Sequence, residues 1–391
     1  MPKIEPEIEA FARIKVIGVG GSGTNAVSHM VRSGVKGVDF IAINTDAQHL
    51  HHSVAKKKVH IGKNLTRGLG AGMNPEIGRK AAEESMEEVQ NAIKGADMVF
   101  IACGVGGGTA SGASALIAKS AKDQGILTIG VVTKPFFFEG NQRMQIADKA
   151  IDEIRKEVDA IIVIPNDRLL GIIDKNTTAT NAFAMCDEIL RQAVEGISDL
   201  ITTPGIINVD FADIRAIMAN TGSALMGIGR SAGENRAVEA AKAAINSPLL
   251  DVAIDGAKGV LFAIAGDDKM TMFEIQEAAK VIISSIDPNA KVIFGAIHDE
   301  KLGKNEIKVT VIASGFPENV RKKNLLAGNE ARVIDEKKEK PESPAETRER
   351  ELKELKDKKS QNQANSLNNN LENTEDDDWS SIPAFLRRPK K

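Results

Sequence analysis

Two glycine-rich turns stand where phosphate chemistry needs backbone rather than side chains. Gly18-Val19-Gly20-Gly21-Ser22-Gly23-Thr24-Asn25 follows the apolar run 14–17, and Gly104-Val105-Gly106-Gly107-Gly108-Thr109 follows the apolar run 98–103. Glycine lets N–H groups approach a phosphate closely, and a helix opening just beyond adds the positive end of its dipole. Gly18-x-Gly-x-x-Gly23 taken alone fits a dinucleotide fingerprint, with Asp46 as an acidic partner farther along than usual, so a Rossmann oxidoreductase is one reading. A second glycine turn has no part in a single dinucleotide site. No G-x-x-x-x-G-K-[ST] occurs, so a Walker-type site is absent as well. What remains is a nucleotide held by several loops without a phosphate-loop lysine.

Three further groups of residues have the types and spacing for chemistry. Asp187 falls on the apolar stripe Phe183, Leu190, Val194, Ile197, Ile201, where a carboxylate costs heavily unless something donates to it. Glu139 and Arg143 stand four apart, which suits either an ordinary helix-surface ion pair or a ligand contact. Asp210 and Asp213 stand three apart, a spacing that also serves helix capping and dipole matching.

The elements that must position these residues follow from periodicity. Residues 14–18, 40–44, 98–103, 128–133 and 160–164 are short β-branched runs that read as buried strands, with helices over 24–33, 75–93, 112–124 and 142–157 between them. This alternation predicts a parallel sheet covered on both faces, with ligands at the carboxyl ends of the strands, where both glycine turns lie. One long helix is expected over 179–201. Beyond Pro204 the pattern becomes helices over 209–219 and 234–245, a strand over 259–265, a helix over 271–284, and strands over 291–296 and 306–313. That order suggests a smaller α+β domain ending near Gly315.

The 391-residue chain carries a net charge of −3, so whole-surface attraction to nucleic acid or anionic membrane is not indicated. Residues 1–10 lack an apolar signal core, and no apolar run reaches bilayer-spanning length. With only Cys103 and Cys186, the chain suits a reducing compartment and offers no disulfide framework or metal site. A cytoplasmic protein is expected. After Pro317 comes a Lys-, Glu-, Asn- and Gln-rich stretch that reads as a disordered linker. It ends at Trp379 and the compact apolar group Ile382-Pro383-Ala384-Phe385-Leu386-Arg387, which has the character of a docking peptide.

Gly106-Gly107-Gly108-Thr109-Ala110-Ser111-Gly112 closely resembles the signature loop of the tubulin/FtsZ superfamily. Asn44-Thr45-Asp46, Arg67-Gly68-Leu69-Gly70-Ala71-Gly72, Thr133-Lys134-Pro135-Phe136, Ile164-Pro165-Asn166-Asp167 and Asn208-Val209-Asp210-Phe211-Ala212-Asp213 resemble its FtsZ branch, in the same order, over roughly 14–315. The terminal 382–386 segment is similar to that family's tail peptide. The resemblance implies a bacterial cell-division GTPase with a Rossmann-like parallel-sheet GTP-binding domain over 11–178 and a connecting core helix over 179–203. It implies an α+β domain over 204–315, a linker over 316–378 and a docking peptide with a basic end over 379–391.

The same resemblance implies roles. Gly20, Gly21, Ser22, Gly23, Thr24 and Asn25, with Gly104, Gly106, Gly107, Gly108, Thr109 and Ala110, would wrap the phosphates of GTP or GDP, and Ala71 and Gly72 would sense the terminal phosphate. Glu139 and Arg143 would meet the ribose and a nearby phosphate, Asn166 the sugar or base, and Phe183 would stack on the base. Asp187 would accept the N1–H and N2–H₂ donors of guanine, where adenine offers an acceptor. Asn208, Asp210 and Asp213 would serve catalysis on the nucleotide of the next subunit in a head-to-tail filament. Mg²⁺ is expected with the nucleotide, though no protein ligand for it is assigned. Ile382, Pro383, Phe385, Leu386 and Arg387 would bind division proteins or membrane-anchoring adaptors at the division site, making membrane association indirect. Two rivals stay open: a filament protein of plasmid segregation and the oxidoreductase. The family pattern usually carries Gly and Thr where this chain has Ala110 and Ser111, and Pro where it has Ala115. Alanine at 110 is favourable in a first helical turn and disruptive at positive φ.

Overall fold

The computed structural model describes residues 12–171, 177–247, 250, 254–299 and 301–316, all within the first of two units, Met1–Val320. Residues 1–10, the expected linker after Phe316 and the terminal peptide lie outside the described residues.

Strands β1 (Ile14–Val19), β2 (Val38–Asn44), β3 (Lys57–His60), β4 (Met98–Gly104), β5 (Leu127–Lys134) and β6 (Ala160–Pro165) form a parallel array. Side chains alternate across it. Val16, Phe100, Ile129 and Ile162 enter one core, while Ile17, Ile101, Val132 and Ile161 enter another on the opposite face. Strands buried on both faces read as continuous apolar runs, which is why they were legible.

Helices α1 (Gly20–Arg32), α2 (Ala47–His52), α3 (Lys63–Thr66), α4 (Pro75–Glu84), α5 (Met86–Ile93), α6 (Thr109–Asp123), α7 (Asn141–Glu157) and α8 (Asn166–Leu170) connect these strands. The helix expected over 75–93 is interrupted at Ser85, whose backbone leaves the helical region at φ −111°, ψ 22°. Its hydroxyl accepts the N–H of Gly62 at 3.1 Å, so a side-chain bond to a neighbouring loop accompanies the break. β3, α2, α3 and α8 were not expected; each is six residues or fewer, too short to show a period.

Helix α9 (Ala179–Thr202) begins with Thr178 as its cap, the hydroxyl accepting from Asn181 N–H at 3.3 Å. Its buried face (Leu190, Val194, Ile197, Leu200) shares one core with Ile129 and Ile162 on one side and with Ile214, Leu261 and Ile312 on the other. Burying each such side chain contributes about 1.5–3 kcal/mol, so α9 joins the two halves through apolar contact.

The second half comprises α10 (Phe211–Met218), β7 (Gly222–Ala232), α11 (Arg236–Ile245), β8 (Gly259–Gly266), α12 (Met272–Ile283), β9 (Lys291–His298) and β10 (Glu306–Ser314). The expected order of parallel sheet, core helix and smaller α+β part is present, and the strands form one sheet in the order β3-β2-β1-β4-β5-β6-β7-β10-β8-β9. The junction is a short parallel ladder, Ala160 with Gly222, Ile161 with Ser223 and Ile162 with Ala224; β10 then runs antiparallel to both β7 and β8.

β7 was not expected, because Gly222, Gly227 and Gly229 deprive it of a strand's usual composition. Packing explains two of these glycines. A Cβ at Gly227 would lie 2.0 Å from the carbonyl oxygen of Ala244, and one at Gly229 equally close to that of Ala240, so the alanine face of α11 rests directly on the strand backbone. Gly229→Ala should therefore lower stability by about 1–3 kcal/mol, the usual cost of overpacking. Urea denaturation at unchanged m-value checks this; a loss below about 0.5 kcal/mol would mean that α11 yields easily.

Candidate functional site

The site begins where β1 and β4, neighbours in the sheet, run into α1 and α6. Val19 is still extended when Gly20, at φ +73°, opens α1. Beyond β4 the chain turns through Gly106 at φ +108° before α6 starts at Thr109. The two turns touch. The N–H of Gly104 donates to Ser22 Oγ at 2.7 Å, and a Cβ on Gly104 would fall 2.5 Å from that oxygen. A Cβ on Gly18 would lie 2.1 Å from Gly23 O, and one on Gly23 2.5 Å from Ala102 O. Ser111 closes the second turn, its Oγ accepting the N–H of Gly106 at 2.9 Å.

Above the turns lies a cavity of about 450 Å³. It is lined by thirteen of the expected residues: Gly21, Ser22, Asn25, Gly104, Gly107, Gly108, Thr109, Ala110, Glu139, Arg143, Asn166, Phe183 and Asp187. Six other expected nucleotide ligands, Gly20, Gly23, Thr24, Ala71, Gly72 and Gly106, lie outside this lining. Gly20 backs onto Ala110, and Gly23 onto the carbonyl of Ala102. Thr24 is buried, donating its hydroxyl to Gly20 O at 2.7 Å. Ala71 meets the backbone of Gly108, Gly72 turns at φ +55°, and Gly106 shapes its own turn. The lining also includes His49, Val105, Thr133, Pro135, Cys186 and Leu190, none of them expected as ligands. Thr133 and Pro135 belong to a recognised motif, and Cys186 and Leu190 flank Asp187 on α9, so their signal was available. His49 had none.

Glu139 and Arg143 meet, Arg143 Nη1 donating to Glu139 Oε2 at 2.7 Å, but they do not share a helix. Glu139 belongs to a 3₁₀ turn (Phe137–Glu139) and Arg143 to the first turn of α7, with Gly140 at φ +100° breaking the path between them. Glu139 Oε1 also accepts the N–H of Phe136 at 2.9 Å, which fixes it at the cavity wall. Phe183 is 46% exposed and packs edge-on against Phe136, ring centroids 5.5 Å apart, leaving a face free for stacking. Asn166 is buried with its Oδ1 lacking a hydrogen-bond partner among the described residues, an acceptor available to a ligand.

Asp187 sits one helical turn beyond Phe183. Burial pushes its carboxyl up to about 6, opposed by the charge of nearby His29, with no hydrogen bond contributing to the shift. Burial also pushes the adjacent Cys186 thiol up to about 12, helped by Asp187 and Glu139, so that thiol stays protonated and inert.

The remaining expected residues lie elsewhere. Asp187 and Thr202 are fifteen residues apart on α9, about 22 Å at the helical rise, and Asn208, Asp210 and Asp213 follow that far end. None of them lines the cavity. Asp210 caps α10, its Oδ1 accepting the N–H of Asp213 at 2.8 Å, and Asn208 Oδ1 accepts the N–H of Gly205 at 2.7 Å.

Ala110 falls in the first turn of α6 with negative φ and is buried. The structure thus selects the helical alternative for this residue. A Cβ on Gly20 would lie 3.2 Å from the Ala110 methyl group, so the glycine opposite makes room for it. Ala110→Gly should cost about 1 kcal/mol of stability through helix propensity, measured by thermal or urea unfolding. Stabilisation would indicate a strained backbone at this position.

Comparison with known proteins identifies the family. Residues 13–174 match the family model of the Tubulin/FtsZ family, GTPase domain, and residues 222–317 that of the FtsZ family, C-terminal domain. The chain is similar to FtsZ from M. jannaschii, solved as an empty dimer, at 47% identity over 78% of this chain and 88% of that one, with a TM-score of 0.75. It shares its fold with CetZ2 from Haloferax volcanii, solved as a GTPγS-bound protofilament, at 21% identity over 82% of this chain and 99% of that one, with a TM-score of 0.68. The chain belongs to the FtsZ family of tubulin-like GTPases.

Proposed function

We propose that the cavity binds GTP and that hydrolysis takes place only where two copies meet head to tail. The observation that carries this reading is the separation of the two half-sites. Asp187 and the glycine turns lie at one end of α9; Asn208, Asp210 and Asp213 follow the other, too distant to reach a nucleotide in their own subunit. Both ends expose apolar side chains, Phe137 and Phe138 near the cavity and Ile206 just before Asn208, as a heterologous, open-ended contact requires. In this reading the glycine turns hold the phosphates, Phe183 stacks on the base, Asn166 accepts from sugar or base, and Arg143 pairs with a phosphate. Asp210 and Asp213 of the neighbouring copy orient the attacking water.

Mg²⁺ fits this site through the nucleotide. The hydroxyl of Thr109 at the cavity wall, 2.7 Å from that of the buried Thr45, is a hard oxygen ligand suited to its hydration shell, and the ion would offset charge developing on the phosphates. The biological role consistent with this chemistry is a cytoplasmic filament that forms a ring at the division site. Its terminal peptide (Ile382, Pro383, Phe385, Leu386, Arg387) would recruit division proteins and membrane-anchoring adaptors, with no nucleic-acid partner. Among the described residues no helix is long and apolar enough to cross a membrane.

Guanine selectivity should depend on pH. Guanine's paired donors favour the carboxylate form of Asp187, whose proton is taken up near pH 6. GTP affinity should therefore be fully present near neutrality and fall as the pH drops through about 6. Asp187→Asn should lose about 1–3 kcal/mol of binding and this part of the pH slope, as read by calorimetric titration with GTP and ATP. Retained discrimination in the variant would refute the role.

Catalysis in trans makes a second prediction. Asp210→Ala or Asp213→Ala should keep nucleotide binding and lose turnover, while Thr109→Arg should block its own cavity. Mixing the two variants should restore part of the GTPase activity, because some interfaces then pair an intact cavity with intact aspartates. Turnover per subunit that stays constant on dilution to monomers, judged by light scattering and phosphate release, would place the aspartates in cis.

A further inference from the structure

Beside the phosphate turns a polar relay leads from fixed backbone donors to the cavity wall. Asn44, buried at the end of β2, accepts the N–H of Thr45 at 2.9 Å and that of Asp46 at 3.3 Å through Oδ1. Backbone N–H groups cannot reverse roles, so this amide has one orientation, and its Nδ2 donates to His49 Nδ1 at 3.3 Å. An acceptor nitrogen carries no proton, so the neutral imidazole holds its hydrogen on Nε2. Nε2 lies 2.9 Å from Asn25 Oδ1 and donates to it. Asp46 keeps the histidine in register by accepting His49 N–H at 2.9 Å as the cap of α2, and the ring lies within contact distance of the Gly21 position.

The last member is Asn25, which lines the cavity. With its oxygen engaged by His49, its NH₂ group is the end left for a ligand. We infer that His49 is a positioning residue that sets the polarity of Asn25, so that the cavity offers an amide donor to an acceptor oxygen of the bound nucleotide. The inference rests on reading the cavity as a GTP site. Two oxygens share this chemistry, a phosphate oxygen and guanine O6; adenine carries an N6 donor in place of O6. Without His49 the amide of Asn25 is free to rotate and present its oxygen, which repels either acceptor.

Substitution and spectroscopy on the full-length chain test the relay. His49→Ala and His49→Phe should each weaken GTP binding about two- to tenfold, the range of one hydrogen bond. His49→Gln should restore it, because its amide oxygen can accept from Asn44 while its NH₂ donates to Asn25. Phe fills the space without either bond, so rescue by Phe rather than Gln would show a packing role and overturn the inference. In an Asn25→Ala background, His49→Ala should cause no further loss; additive losses would also overturn it. Imidazole ¹⁵N shifts near neutral pH should show the Nε2–H tautomer, and the opposite tautomer would contradict the relay. Equal losses for GTP and ATP would identify a phosphate as the acceptor, and a loss confined to GTP would identify O6. Absence of GTP binding by the unmodified protein would instead defeat the reading of the cavity, whatever the tautomer.

Discussion

Backbone-to-backbone contact between two neighbouring strand-to-helix turns is the constraint on which the site depends. Side chains at Gly18, Gly23 or Gly104 would each drive a carbon to within 2.5 Å of an oxygen, those of Gly23, Ala102 and the Ser22 hydroxyl in turn, closer than packed atoms come. The constraint extends to a third loop. A Cβ on Gly112 would lie 1.9 Å from Pro75 O, and one on Gly78 2.3 Å from Gly108 O, so α4 presses on the start of α6 without intervening side chains. That pressure brings Ala71 and Asn74 against the Gly108 turn. The floor of the cavity is thus a junction of three backbones that meet closely because side chains are absent there.

Its legibility in the sequence follows from the same physics. Glycine is conspicuous when it interrupts apolar strands, so both turns and the parallel half of the sheet could be read directly. β7 escaped because its glycines answer to α11, a contact between elements far apart in local pattern. The break at Ser85 escaped because it is tied to Gly62, and the separation of Glu139 from α7 because one left-handed glycine ends a plausible helical spacing. His49 lies in a six-residue helix with no periodic signal, and its meaning emerges only when Asn25 and Asn44 are brought together in space.

Helix α9 carries more than its apolar face. Glu188 Oε2 accepts from His29 Nε2 at 3.0 Å, and its Oε1 accepts from Arg191 Nη2 at 2.6 Å. Arg191 also bonds Glu195, which Lys301 reaches from the second half at 3.2 Å. Asp199, one turn on, is pushed up to about 7 by burial and by the charge of Glu195. Buried ions are costly alone and tolerable as a connected series. Here the series runs from the α1 side of the cavity to the loop before β10, with Arg191 and Glu195 its buried members.

The length of α9 has a geometric consequence. If one copy's acids complete the next copy's cavity, the translation relating neighbours must carry the region after Thr202 onto the region around Asp187. The part of that translation lying along α9 is then set inside each monomer by the fifteen-residue separation of Asp187 and Thr202, about 22 Å. Adding or removing residues in that stretch would change the repeat by about 1.5 Å each and rotate everything beyond by the helical twist. A filament built this way takes part of its repeat from a single secondary-structure element.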